Sequence, residues 1–124
     1  MDTVTWQRIE GALVFLAGLA LYAFTGYGAP WWWAVLIFFA PDLSFAAYSF
    51  GSRWGAVVYN AAHIYALGII LVAFGAATDA GLPSALGSLW LAHSGFDRML
   101  GYGLKSPAGF NVTHLGRIGG PEAK

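Results

Sequence analysis

Four apolar stretches dominate this chain, each near the length that crosses a hydrocarbon core of about 30 Å. They run over about 9–27, 30–50, 54–77 and 83–104. Gly51-Ser52 separates the second from the third, and Thr78-Asp79-Ala80-Gly81-Leu82-Pro83 the third from the fourth. Pro30 and Pro83 sit where a helix's first turn tolerates proline. Only six Lys/Arg and six Asp/Glu occur among 124 residues. So few charges cannot cover the large surface fraction that a chain this short exposes to water. Lipid is the solvent that fits. The pattern predicts a single all-α domain, a four-helix transmembrane bundle of up-down-up-down topology. Residues 106–124 then form an irregular tail.

Orientation follows from the cations. Arg8 precedes the first stretch and Arg53 lies between the second and third. Arg98, Lys105, Arg117 and Lys124 lie at or beyond the end of the fourth. The other two connections carry none, so both termini are expected in the cytoplasm. Trp31-Trp32-Trp33 then marks the outer interface, and Trp6 and Trp54 the inner one. A cleaved signal peptide fits poorly: Asp2 and Glu10 are unusual there, and Tyr22, Phe24 and Tyr27 spoil a cleavage site. The formal net charge is zero and no basic run occurs, so nucleic acid is not an expected partner; membrane lipid is. With no cysteine, thiolate metal sites, iron–sulfur clusters and cysteine nucleophiles are excluded. The seventeen glycines suit close helix contacts; the Gly51/Gly55 spacing reads as chance in so glycine-rich a chain.

Ionisable residues within apolar spans are expensive and usually paired or functional. At a rise of about 1.5 Å per residue, His63 and His93 lie about 15 Å from the cytoplasmic end of their helices, Asn60 and Asp42 about 12 Å, and Asp97 about 9 Å. Three helices thus place polar groups in one layer, in the cytoplasmic half. His93 and Asp97 share a helix face, as do Asn60 and His63. Pro41 removes a backbone donor, and a local opening there would let Asp42 reach inward. Two imidazoles and two carboxylates suit a divalent metal such as zinc, manganese or iron. Taken by themselves the residues suit better still a hydrogen-bonded network that fixes helix register, and less well a path for protons or small solutes. A conductor would require a homo-oligomer, because four helices leave little lumen.

Around this layer lie weaker candidates. His114, in the tail, is a possible fifth metal ligand if the tail folds back. Arg98 suits a lipid phosphate, or pairing with Asp97 or Glu10. Lys105 is expected to snorkel to the headgroups. Ser44 and Ser94 lack a matched base.

The segments Ala40-Pro41-Asp42-Leu43-Ser44, Tyr59-Asn60-Ala61-Ala62-His63, His93-Ser94-Gly95-Phe96-Asp97-Arg98 through Lys105, and Thr113-His114-Leu115-Gly116-Arg117-Ile118-Gly119 occur in that order. Together they resemble a bacterial integral membrane family known as domain of unknown function 4260. The resemblance implies topology and a bacterial inner (cytoplasmic) membrane location, and no chemistry. The Pro-Asp-Leu stretch, a histidine on the next helix and then His-x-x-x-Asp are also similar to bacterial membrane-bound metal-dependent hydrolases. That similarity implies a metal held by Asp42, His63, His93 and Asp97; the expectation built on it is a metal-dependent hydrolase of a lipid-like substrate, with Arg98 and Asn60 as substrate contacts. The chain departs from that group in lacking its His-Arg…Thr-His-Ser motif; Asn60 and His63 stand in its place. The contrasting expectation is a non-enzymatic scaffold or accessory subunit whose polar layer is structural.

Overall fold

The computed structural model describes residues 1–118 and is mainly helical. Lys124, used above for orientation, and the rest of 119–124 lie outside the described residues.

Helix α1 spans Thr3–Thr25. It starts six residues earlier than its apolar stretch suggests, because the Asp2 carboxylate caps it, accepting from the Thr5 N–H at 2.8 Å. Gly26 closes it in the left-handed region at φ 57°. Helix α2 spans Trp31–Phe39 and runs directly into a 3-10 helix over Ala40–Phe50. The change of pitch falls where Pro41 can neither donate to nor fit beneath a fourth-residue carbonyl; the Ala40 N–H already bonds back only three residues, to Ile37.

The third apolar stretch is not one helix. Helix α3 covers Ser52–His63 and α4 covers Tyr65–Thr78, bent by 44° at an extended Ile64. No proline or glycine marks this break. It is held from outside: Trp90 Nε1–H donates to the Ala62 carbonyl at 2.7 Å, and Arg98 Nη2 to the His63 carbonyl at 3.4 Å. Carbonyls released from a helix in an apolar surrounding need such donors.

Helix α5 spans Gly81–Met99 and is the central element, with α1, α2 and α4 packed on it. It ends five residues before its apolar stretch does, since Gly101 turns the chain at φ 93°. The tail also departs from expectation. Residues Lys105–Ser106 (β1), Gly109–Thr113 (β2) and Gly116–Arg117 (β3) form an antiparallel sheet in the order β1-β2-β3. The Asn60 side chain clamps it to α3, donating to the Lys105 carbonyl at 2.9 Å and accepting from its N–H at 2.6 Å.

Among the described residues, two helical runs are long and apolar enough to cross a membrane, Thr3–Thr25 and Trp31–Phe50; the bent pair α3/α4 makes a third if it counts as one span. The outward faces of these runs are apolar: Leu13, Leu16, Phe24, Leu36, Ile70 and Phe74 are all exposed. The interior instead holds His63, Ser88, His93, Ser94 and Arg98. Helix α1 buries only Gly11 and Gly18, and α4 only Gly68 and Gly75. A Cβ on Gly18 would lie 2.6 Å from the Ala92 amide nitrogen, and one on Gly68 2.8 Å from that of Leu91. Glycine therefore sets the spacing of α1 and α4 against α5. Gly51 meets nothing and Gly55 faces the Tyr48 ring, so that pair is no helix–helix motif.

Candidate metal centre

Four side chains from three parts of the chain converge. Asp42 comes from the 3-10 helix, His63 from the last residue of α3, and His93 and Asp97 from one face of α5. Their ligand atoms lie within 4.8 Å of one another. His93 Nε2 is 3.1 Å from Asp42 Oδ1 and 3.4 Å from Asp97 Oδ2; His63 Nε2 is 3.3 and 3.4 Å from the same two oxygens. The two Nε2 atoms are 3.2 Å apart.

The proton count around this point is informative. His63 Nδ1 lies 2.8 Å from the Tyr59 carbonyl, which can only accept. Nδ1 must carry the proton there, and Nε2 of a neutral ring then presents a lone pair. That lone pair faces two carboxylate oxygens. A neutral His93 offers a single Nε2 proton among three acceptors. A second Nε2 proton requires only that His63 be protonated, which gives each ring a donor to a carboxylate but points two N–H groups inward from nitrogens 3.2 Å apart. A cation among the four atoms resolves the conflict. The spacing fits as well: ligands about 2.0 Å from a tetrahedral zinc are separated by roughly 3.3 Å. Five of the six separations run from 3.1 to 3.4 Å. The donor set is hard to borderline and suits zinc, manganese or iron.

Supporting groups hold this arrangement. The Tyr59 ring stacks on His63 at 3.8 Å and 11°, and its hydroxyl lies 3.3 Å from Asp97 Oδ2. The Tyr59 carbonyl fixes the tautomer of His63, as is usual around metal-ligating histidines. On the other side Phe38 and Phe39 stand edge-on to His93, at 5.3 and 6.2 Å. His93 Nδ1 is buried with no hydrogen-bond partner among the described residues. This is the one feature that favours an Nε2-protonated ring, and hence a metal-free network.

Among the described residues, the centre opens on a cleft. A cleft of about 320 Å³ is lined by Asp42, Phe45, Tyr59, Asp97, Tyr102, Lys105, Phe110 and Ile118. The Asp42 side chain is 35 % exposed towards it, whereas His93 is 1 % exposed.

The remaining sequence candidates separate from the centre. His114 is exposed and its Nδ1 accepts from the Leu104 N–H at 2.8 Å; it is not among the converging residues. Burial and the nearby Arg98 charge hold its pKa below the usual histidine value. Arg98 is buried, with its guanidinium 4.9 Å above the Tyr65 ring and bonded to the His63 carbonyl. It therefore braces the helix break and does not sit at an interface to meet phosphate. Among the described residues it makes no ion pair with Asp97 or Glu10. Both polar atoms of the Asn60 amide are taken by Lys105, which leaves it a clamp and not a substrate contact. Ser44 and Ser94 donate to backbone carbonyls. Lys105 does not snorkel: it is 4 % exposed, with Nζ 3.9 Å over the Phe110 ring and 4.9 Å over Tyr59. Burial pulls its pKa below the ordinary lysine value, against the opposing pull of Asp97 and Asp42. Tyr59 and Lys105 are the residues that sequence reasoning missed. The four-residue step from Tyr59 to His63 was the available signal for the first.

No curated protein and no solved structure matches the chain. The family model described as Domain of unknown function (DUF4260) matches residues 4–118, nearly the whole length, and the chain belongs to that family.

Proposed function

We propose that Asp42, His63, His93 and Asp97 hold a divalent cation inside a four-pass bundle whose termini both face the cytoplasm, and that the protein is a metal-dependent hydrolase of a lipid-like substrate. In this reading α1, α2 with its 3-10 extension, the bent α3/α4 pair and α5 are the four spans. Helix α5 is too polar to face lipid alone, and it is the one that the others surround. The bundle would lie in a bacterial inner membrane, with the centre in its cytoplasmic half.

The donor count carries the reading. Four ligand atoms meet with one Nε2 proton between them while both rings are neutral, and five of their six separations, 3.1–3.4 Å, are those of ligands around a small cation. When bound, such a cation supplies Lewis acidity and acidifies water, which is the chemistry of ester hydrolysis at neutral pH. The chain's own residues supply the rest. Tyr59 orients Asp97 and His63 together. Phe38 and Phe39 exclude water from the rear. Asp42 and Asp97 both line the cleft, so a substrate entering there meets the carboxylate side of the centre.

Metal analysis of detergent-purified wild type and His93→Ala tests this. The wild type is expected to hold a stoichiometric divalent metal that the variant loses. A wild type without metal, with His63→Ala and His93→Ala both lowering thermal stability, would instead establish the structural network that the unpartnered His93 Nδ1 favours.

A further inference from the structure

We infer that the cleft beside the centre binds a phosphate-type anionic group of the substrate, with Lys105 as its anchoring residue and the C-terminal sheet as its floor. The inference rests on the proposed metal reading and adds to it the class of substrate.

Charge is the first ground. Asp42 and Asp97 offset a divalent cation, so a loaded centre is neutral. Lys105 then leaves the cleft with one net positive charge, because no carboxylate lies within ion-pairing distance of its Nζ among the described residues. An ammonium at the cleft whose contacts among the described residues are ring faces gains from an anion that can reach it.

Position is the second. Lys105 lines the same cleft as both carboxylates. An anion in that cleft shares it with the ammonium and with the carboxylate side of the centre. Lysine is a point-charge partner well suited to phosphate. The volume of about 320 Å³ is within the range of small-ligand sites.

Construction is the third. The backbone of Lys105 is held twice by Asn60, and it pairs with Thr113 across the sheet. Phe110 of β2 lies under its ammonium and meets Phe45 at a tilt of 56°, and Phe45 in turn stacks on Tyr59 at 5.3 Å and 17°. A lysine held only to snorkel needs none of this. The exposed aromatic rims, Tyr102 and Phe110, suit the apolar part of an amphiphile.

The experiment titrates inorganic phosphate into cation-loaded protein in phosphatidylcholine nanodiscs, with metal content measured on the same samples. Wild type is expected to bind phosphate. Lys105→Met, which keeps the stem and the backbone clamp, is expected to keep its metal and weaken phosphate binding by about tenfold to a hundredfold. Lys105→Arg, which keeps the charge, is expected to retain binding within about threefold of wild type. A second arm replaces part of the phosphatidylcholine with phosphatidate. Competition with soluble phosphate identifies a lipid headgroup as the source, and its absence a soluble phosphate ester; either outcome upholds the site. Metal-loaded wild type that fails to bind phosphate, or Lys105→Met that binds it as well as wild type, overturns the inference and leaves the metal centre standing. A wild type that takes up no metal removes the metal reading itself.

Discussion

The molecule has two unlike regions, and the candidate centre sits on the seam between them. Helices α1, α4 and α5 meet backbone to backbone, through glycines spaced by seven residues on α1 and α4. The 3-10 helix, α3 and the sheet meet through side chains that satisfy irregular backbone: Trp90 and Arg98 at the Ile64 break, Asn60 at Lys105. The first region is regular and close, and fixes His93 and Asp97 as two points on one helix face. The second departs from straight α-helix in two places, a change of pitch at Pro41 and a bend at Ile64, and each departure sits beside one ligand, Asp42 and His63. A straight four-helix bundle would place these residues at one depth. The departures from straightness turn shared depth into convergence.

Loss of the regular region should do the most damage. Gly18→Val sets a side chain against the Ala92 backbone, which has no room to yield. Overpacking typically costs about 1–3 kcal/mol and occasionally more, and backbone against backbone belongs at the upper end. Thermal unfolding in detergent should show it, and metal should be lost in parallel because His93 follows Ala92. A variant of wild-type stability would mean that α1 does not depend on this contact.

Damage to the irregular region should be smaller and more local. Arg98→Met removes the donor to the His63 carbonyl and leaves that group unpaired, at a cost of about 1–3 kcal/mol. Metal affinity should fall by about tenfold, since groups that orient a ligand commonly matter at that level. If stability falls as far as in Gly18→Val while metal affinity does not change, the contrast between the two regions fails.

Much of this was legible in the sequence, for reasons that differ by residue. Apolar run lengths and breakers located most of the helices, because a backbone in apolar surroundings must bond internally. Depth along a helix is linear in residue number, so the common layer of Asp42, His63, His93 and Asp97 could be counted. The proline at 41 announced its irregularity. The break at Ile64 did not, because its causes, Trp90 and Arg98, lie on another helix. The sheet was hidden by the glycines and short strands of the tail, whose order depends on Asn60 far upstream. Arg98 and Lys105 changed places for the same reason. Charge and position along the chain suggested an interfacial arginine and a snorkelling lysine, whereas tertiary packing buries one behind the centre and the other beside it.

The central claim is that a cation belongs among these four side chains. X-ray absorption on the metal-loaded, detergent-purified protein addresses it most directly. The account predicts two imidazole nitrogens, with the remaining ligands oxygen, at about 2.0–2.2 Å for zinc. A shell of oxygens without imidazole, a third imidazole that would bring in His114, or no bound metal at all would contradict it.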